Sequence, residues 1–117
     1  MFIFKYYFMQ TIQVRETFEI TTRNYNLDRK LVEDIIAKVE RGLHEKSDLE
    51  VGEPSNYFGW TFFTISIDIP FIVKMMDLYE TFRNARGWTH YEKFESWLND
   101  RLKESGSQAN VKTALPT

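Results

Sequence analysis

The stretch Tyr57-Phe58-Gly59-Trp60-Thr61-Phe62-Phe63-Thr64-Ile65-Ser66-Ile67-Asp68-Ile69 decides how the chain is read, because large apolar side chains fall on both of its parities. Successive residues of a strand point to opposite faces. Phe63, Ile65, Ile67 and Ile69 therefore form an aliphatic row, and Phe58, Trp60 and Phe62 an aromatic row opposite it. One row supplies a core. The other calls for a second layer, a partner or a ligand. We read the whole stretch as the central strand, with Gly59 marking a bulge or a close backbone approach and Pro70 ending it.

Upstream, Gln10 to Arg23 alternates: Ile12, Val14, Phe18 and Ile20 lie on one face, and Gln13, Arg15, Thr17, Glu19, Thr21 and Arg23 on the other. That pattern is a half-buried strand. Glu16 interrupts the inward row, as an edge-protecting charge does. After a turn at Asn24–Leu27, the span Asp28–Lys46 sets Leu31, Val32, Ile35, Ile36, Val39 and Leu43 at helical spacing. Asp28 is the expected N-cap, with Leu27 and Val32 as a hydrophobic staple. Asp34 and Lys38 stand in the favourable i, i+4 order, and His44 suits the carboxyl pole. The polar, acidic connection Ser47–Asn56 lacks the ligand spacing of a calcium loop and reads as a solvated loop.

Downstream, a helix is expected from Pro70 to Arg86, stopped by Gly87. Thr89-His90-Tyr91-Glu92 fits a capping box that opens another helix, with Tyr91, Phe94, Trp97, Leu98 and Leu102 inward and His90 exposed. Residues 106–117 are polar and small and read as a disordered tail. Residues 1–9, M-F-I-F-K-Y-Y-F-M, read as an edge strand or as an extension ahead of a start at Met9. They carry no signal-peptide pattern and fall short of the roughly 20 residues of a spanning helix.

The expected fold is α+β: a single domain over residues 1–105, in the order β-β-α-β-α-α. A two- or three-stranded sheet packs with one amphipathic helix and a C-terminal helical pair. If the two long strands neighbour each other across the first helix, a right-handed parallel crossover is expected, with an antiparallel arrangement as the alternative if residues 1–9 intervene. So small a sheet leaves much apolar surface, from which we expect a homodimer or a protein partner.

Composition narrows the chemistry. At 117 residues without cysteine, the chain is long enough to bury a core without staples and has no thiolate chemistry, consistent with a cytoplasmic location. The net charge of -2 gives no general basic footprint for nucleic acid. The two histidines lie far apart, and no nucleophile elbow, P-loop or dinucleotide fingerprint occurs. We therefore expect no enzyme, metal or cofactor. The 16% aromatic content points to a dense core or an adhesive face.

Residues 57–63 resemble the first ribonucleoprotein signature of RNA-recognition motifs, in which strand aromatics stack bases. Phe58, Gly59 and Phe63 match it. Asn56 and Tyr57 stand where the signature has a basic residue and a glycine, and the first strand lacks the companion aromatic. The resemblance implies single-stranded nucleic-acid binding, which we carry as the alternative. The reading preferred here is a small non-catalytic protein-interaction module, an inhibitor or adaptor, with Phe58, Trp60 and Phe62 as the binding residues and Trp60 as the anchor. Inhibitors from phages or mobile elements, such as anti-CRISPR proteins, are one instance of that class.

Overall fold

In the computed structural model, which describes residues 15–114, β1 (Arg15–Thr22) and β4 (Trp60–Asp68) pair antiparallel along their lengths. The register runs from Arg15 opposite Asp68 to Thr22 opposite Thr61. This ribbon is the middle of the sheet. β5 (Asn110–Thr113) adds antiparallel to the outer side of β1. The short strands β2 (Glu50–Val51) and β3 (Ser55–Tyr57) both add antiparallel to the other side of β4.

The path explains why the central pair is antiparallel. Helix α1 (Tyr25–Leu43) returns the chain to the Arg15 end of the sheet. There the Ser47 carbonyl accepts from the Asp68 amide at 3.0 Å. β2 and β3 then carry the chain back along the edge of β4 before the hairpin reverses it. That extra pass replaces the parallel crossover.

The remaining helices are α2 (Ile69–Leu78), α3 (Glu80–Arg83) and α4 (His90–Glu104). The helices pack on one face of the sheet. Phe18, Ile20, Phe63, Ile65, Ile67 and Val111 meet Val32, Ile36, Val39, Phe71, Ile72, Met75, Phe82, Phe94, Trp97, Leu98 and Leu102 in one buried cluster. Each such side chain contributes about 1.5–3 kcal/mol on leaving water. The ring of Phe18 stacks on that of Phe94 at 4.6 Å and Tyr25 sits edge-on to Phe63 at 5.1 Å, which ties β1 to α4 and α1 to β4.

A buried polar staple crosses the cluster's rim. Asp28, only 4% exposed, accepts from the Thr22 hydroxyl at the end of β1 and, at 2.9 Å, from the Ser107 hydroxyl beyond α4. A buried carboxylate is tolerable only when its oxygens are satisfied. Its demand here fixes three separate chain segments together.

The sheet is larger than the sequence reading allowed: five antiparallel strands and four helices among the described residues, not two or three strands in the order β-β-α-β-α-α. β5 lies in the stretch read as a disordered tail. Its sequence has one buried apolar residue, Val111, too few for periodicity to register. Its strand form comes from its partners on both sides. β1 pairs with one edge. On the other, the Asn99 side chain of α4 accepts from the Val111 amide at 2.8 Å and donates to its carbonyl at 3.0 Å, while the Glu95 carboxylate accepts from the Thr113 amide at 2.7 Å.

Smaller corrections have equally local causes. α1 begins three residues before the expected Asp28 cap, because Asn24 accepts from the Leu27 amide. This leaves Leu27 exposed and frees Asp28 for the staple. Lys30, not Lys38, pairs with Asp34. The helix expected over Pro70–Arg86 breaks at Tyr79, whose backbone is extended, into α2 and α3. His90, read as exposed, is half-buried with Nε2 shielded from water and unpartnered among the described residues. The Thr89–Glu92 capping box forms as expected. The readings made for residues 1–14, including the edge strand and the start at Met9, lie outside the described residues.

Candidate functional site

The sequence Ser55-Asn56-Tyr57-Phe58-Gly59-Trp60-Thr61-Phe62 folds into a tight hairpin, not one continuous strand. Tyr57 and Trp60 are the closing pair, and Phe58 and Gly59 form the two-residue loop with φ of 52° and 82°. Positive φ at both loop positions marks a type I′ turn, whose twist matches that of the flanking strands and whose preferred residues are Asn-Gly. Gly59 suits its position. Phe58 does not: a left-handed conformation costs a side-chain-bearing residue about 1–2 kcal/mol. Phe58 is also 86% exposed, with its ring edge-on to Tyr57 at 4.4 Å and Tyr57 itself 64% exposed.

The hairpin places its strand aromatics on the face opposite the helices. Alternation from the buried Phe63, Ile65 and Ile67 puts Trp60 and Phe62 on this outer face, where both are half-buried. Tyr57 stands directly across from Trp60. Arg23, just past the end of β1, lays its guanidinium over the Trp60 ring at 4.3 Å. The result is one patch at one end of the sheet, formed by Tyr57, Phe58, Trp60, Phe62 and Arg23.

The rest of the outer face is polar. Glu19 stands between Lys112 on β5 and Thr64 on β4, and Thr17 opposite Ser66. At the far end Arg15 donates to the Ser66 hydroxyl at 2.8 Å and pairs with Glu50 at 3.8 Å. There, burial first and the neighbouring Asp48 second push the Asp68 carboxyl above its ordinary range, with Arg15 opposing them. A continuous aromatic row is thus replaced by an aromatic end and a charged end.

Of the three residues singled out from sequence, the fold keeps Trp60 and Phe62 on one face and moves Phe58 to the turn. This also dissolves the ribonucleoprotein resemblance, because Phe58 and Gly59 are not strand residues and Phe63 faces the helices. Sequence reasoning did not select Tyr57 and Arg23. The Phe58-Gly59 pair, a weak version of Asn-Gly just ahead of an apolar run, is the signal that would have revealed the hairpin and with it Tyr57.

A second exposed aromatic, Trp88, is 96% accessible in the connection between α3 and α4. Its loop is tied to the first turn of α4, since the Glu92 carboxylate accepts from the Trp88 and Thr89 amides at 2.9 and 3.0 Å, which holds that carboxyl below its ordinary range. A hollow of about 340 Å³ between α1 and α4 is walled by Ile35, Val39, Tyr79 and Trp97, with Lys38 and Arg101 at its rim. Among the described residues no three His, Cys, Asp or Glu side chains are grouped to hold a metal ion, and no helix is long and apolar enough to cross a membrane.

These elements define an α+β domain of two layers, helices on one side of an antiparallel sheet, with an aromatic hairpin at one end. Compared with protein-family models, curated proteins and solved structures, the chain matches none of them.

Proposed function

We propose that this chain is a non-catalytic protein-interaction module that engages a partner through the patch of Tyr57, Phe58, Trp60, Phe62 and Arg23. Phe58 carries the reading. A large apolar ring held in a strained conformation in a turn and 86% exposed has only its edge-on contact with Tyr57 to set against the cost. Strain retained at such a position points from the outlier to function. The composition of the patch agrees, because Trp, Tyr and Arg dominate the energetics of protein interfaces.

Strand addition is a poorer route for this chain. Asn99 and Glu95 occupy the outer hydrogen-bonding groups of β5. The opposite edge is split into strands of two and three residues around Gly52, Glu53 and Pro54, the charge-and-proline device that blunts sheet edges. An aromatic protrusion remains as the adhesive feature.

The test is capture from the native host with tagged wild type, Phe58→Asn and Trp60→Ala, each checked for fold by circular dichroism. A protein retained by wild type and lost from both variants at unchanged fold is the expected result. Equal retention by all three would refute the assignment of the patch.

A further inference from the structure

We propose that the aromatic patch receives an acidic segment of a partner protein, with Arg23 pairing its carboxylate. This rests on the reading of the patch as a protein-binding surface. The outer sheet face selects its occupant by charge and by hydrogen-bonding complement. Six charged residues, Arg15, Glu19, Arg23, Glu50, Asp68 and Lys112, belong to that face by register or sequence parity. Arg15 stands opposite Asp68 and pairs with Glu50, and Lys112 stands opposite Glu19. Arg23 differs. Its neighbour is the Trp60 ring, and among the described residues it has no acidic partner. The cation without an acid opposite it therefore coincides with the aromatic end.

The patch also offers hydrogen-bond donors. The Arg23 guanidinium, the Trp60 indole N–H and the Tyr57 hydroxyl have no acceptor among the described residues, and the first two can only donate. An occupant that complements them brings carboxylates and carbonyl oxygens. Stacking on Trp60 leaves the in-plane N–H groups of the guanidinium free to form a charge-assisted pair.

A nucleic-acid strand would also bring anions and rings, but a phosphate backbone needs a series of cations along its track. Here the cations further along the face are opposed by acids, and Glu19, Glu50 and the exposed Glu53 would repel a phosphate chain. One cation among aromatics fits one or two carboxylates on an apolar segment.

The experiment is a titration of the ¹⁵N-labelled protein followed by the indole N–H signal of Trp60, assigned with Trp60→Phe. The probes are the ten-residue peptide Gly-Pro-Leu-Glu-Pro-Leu-Glu-Pro-Leu-Gly, its analogue with both Glu replaced by Lys, and a ten-nucleotide oligo-dT. Saturable shifts are expected at the Trp60 indole and the Arg23 Nε–H with the glutamate peptide only. They should weaken as salt is raised and weaken about tenfold in Arg23→Gln, the effect of one charge-assisted hydrogen bond.

Absence of a shift with the glutamate peptide at millimolar concentration, or an equal shift with the lysine peptide, overturns the proposal, and so does saturation by oligo-dT in its place. The broader reading is tested separately by host-protein capture. Capture lost in Phe58→Asn alongside a silent peptide titration removes the acidic-segment proposal alone, whereas capture indifferent to Phe58→Asn and Trp60→Ala removes the patch as well.

Discussion

Replacing Phe58 by Asn is expected to make the protein more stable while impairing its binding. The turn holds this residue at φ 52°, a conformation that costs a non-glycine residue about 1–2 kcal/mol but in which Asn is enriched several-fold. Because Phe58 is 86% exposed, little burial is lost on substitution. What is lost is the edge-on contact with Tyr57, worth at most about 0.5–1.5 kcal/mol and least at an exposed site. The balance is a gain of about 0.5–1 kcal/mol, or a rise in Tm of roughly 2–8 °C for a domain of this size. Thermal melts and urea titrations of wild type, Phe58→Asn and Phe58→Ala would measure it. The alanine variant deletes the same ring contact but keeps most of the backbone cost, so it should fall at or below wild type, with the asparagine variant above both. An asparagine variant that melts at or below wild type would refute the claim that the turn is strained for the sake of the ring. A stabilised variant that still binds would detach the strain from function.

The other expectations concern the frame that holds the patch. Asp28→Ala removes the acceptor for a fully buried Thr22 hydroxyl and for Ser107, which should cost about 2–3 kcal/mol by urea denaturation. Asn99→Ala strips both side-chain bonds from Val111. Faster amide hydrogen exchange at Val111 is expected, and light scattering should show self-association through the uncovered β5 edge. Asp68 holds its proton to higher pH when folded, through burial first and Asp48 second. The folded state therefore loses stability as pH rises from the ordinary carboxylate value through that raised value, and the loss persists above it. Asp68→Asn should then have a higher urea midpoint than wild type at pH 7, the difference closing at pH 3 where both side chains are neutral.

The parts of this fold that could be read in advance are those in which one segment carries its own signal. The period of Val32, Ile36 and Val39 announces α1, the spacing of Thr89 and Glu92 announces the start of α4, and the parity of Phe63, Ile65 and Ile67 announces the core row of β4. In each case neighbours along the chain create the pattern, and the cluster they build is the one observed. Trp60 and Phe62 could be singled out because their parity opposes that row. Their surroundings could not, since the cation on Trp60 comes from Arg23, far away along the chain.

The sequence by itself determined an α+β chain with an aliphatic face for the helices and aromatic residues left over, because periodicity and capping are local properties. Tertiary structure alone decided the number of strands, the antiparallel centre, the turn at Phe58 and the gathering of Tyr57, Trp60 and Arg23. The physical reason is that backbone hydrogen bonds at a strand edge are satisfied by whatever the fold brings alongside. Val111 is a strand residue because β1 and Asn99 flank it, and no feature of residues 110–113 taken alone records either neighbour.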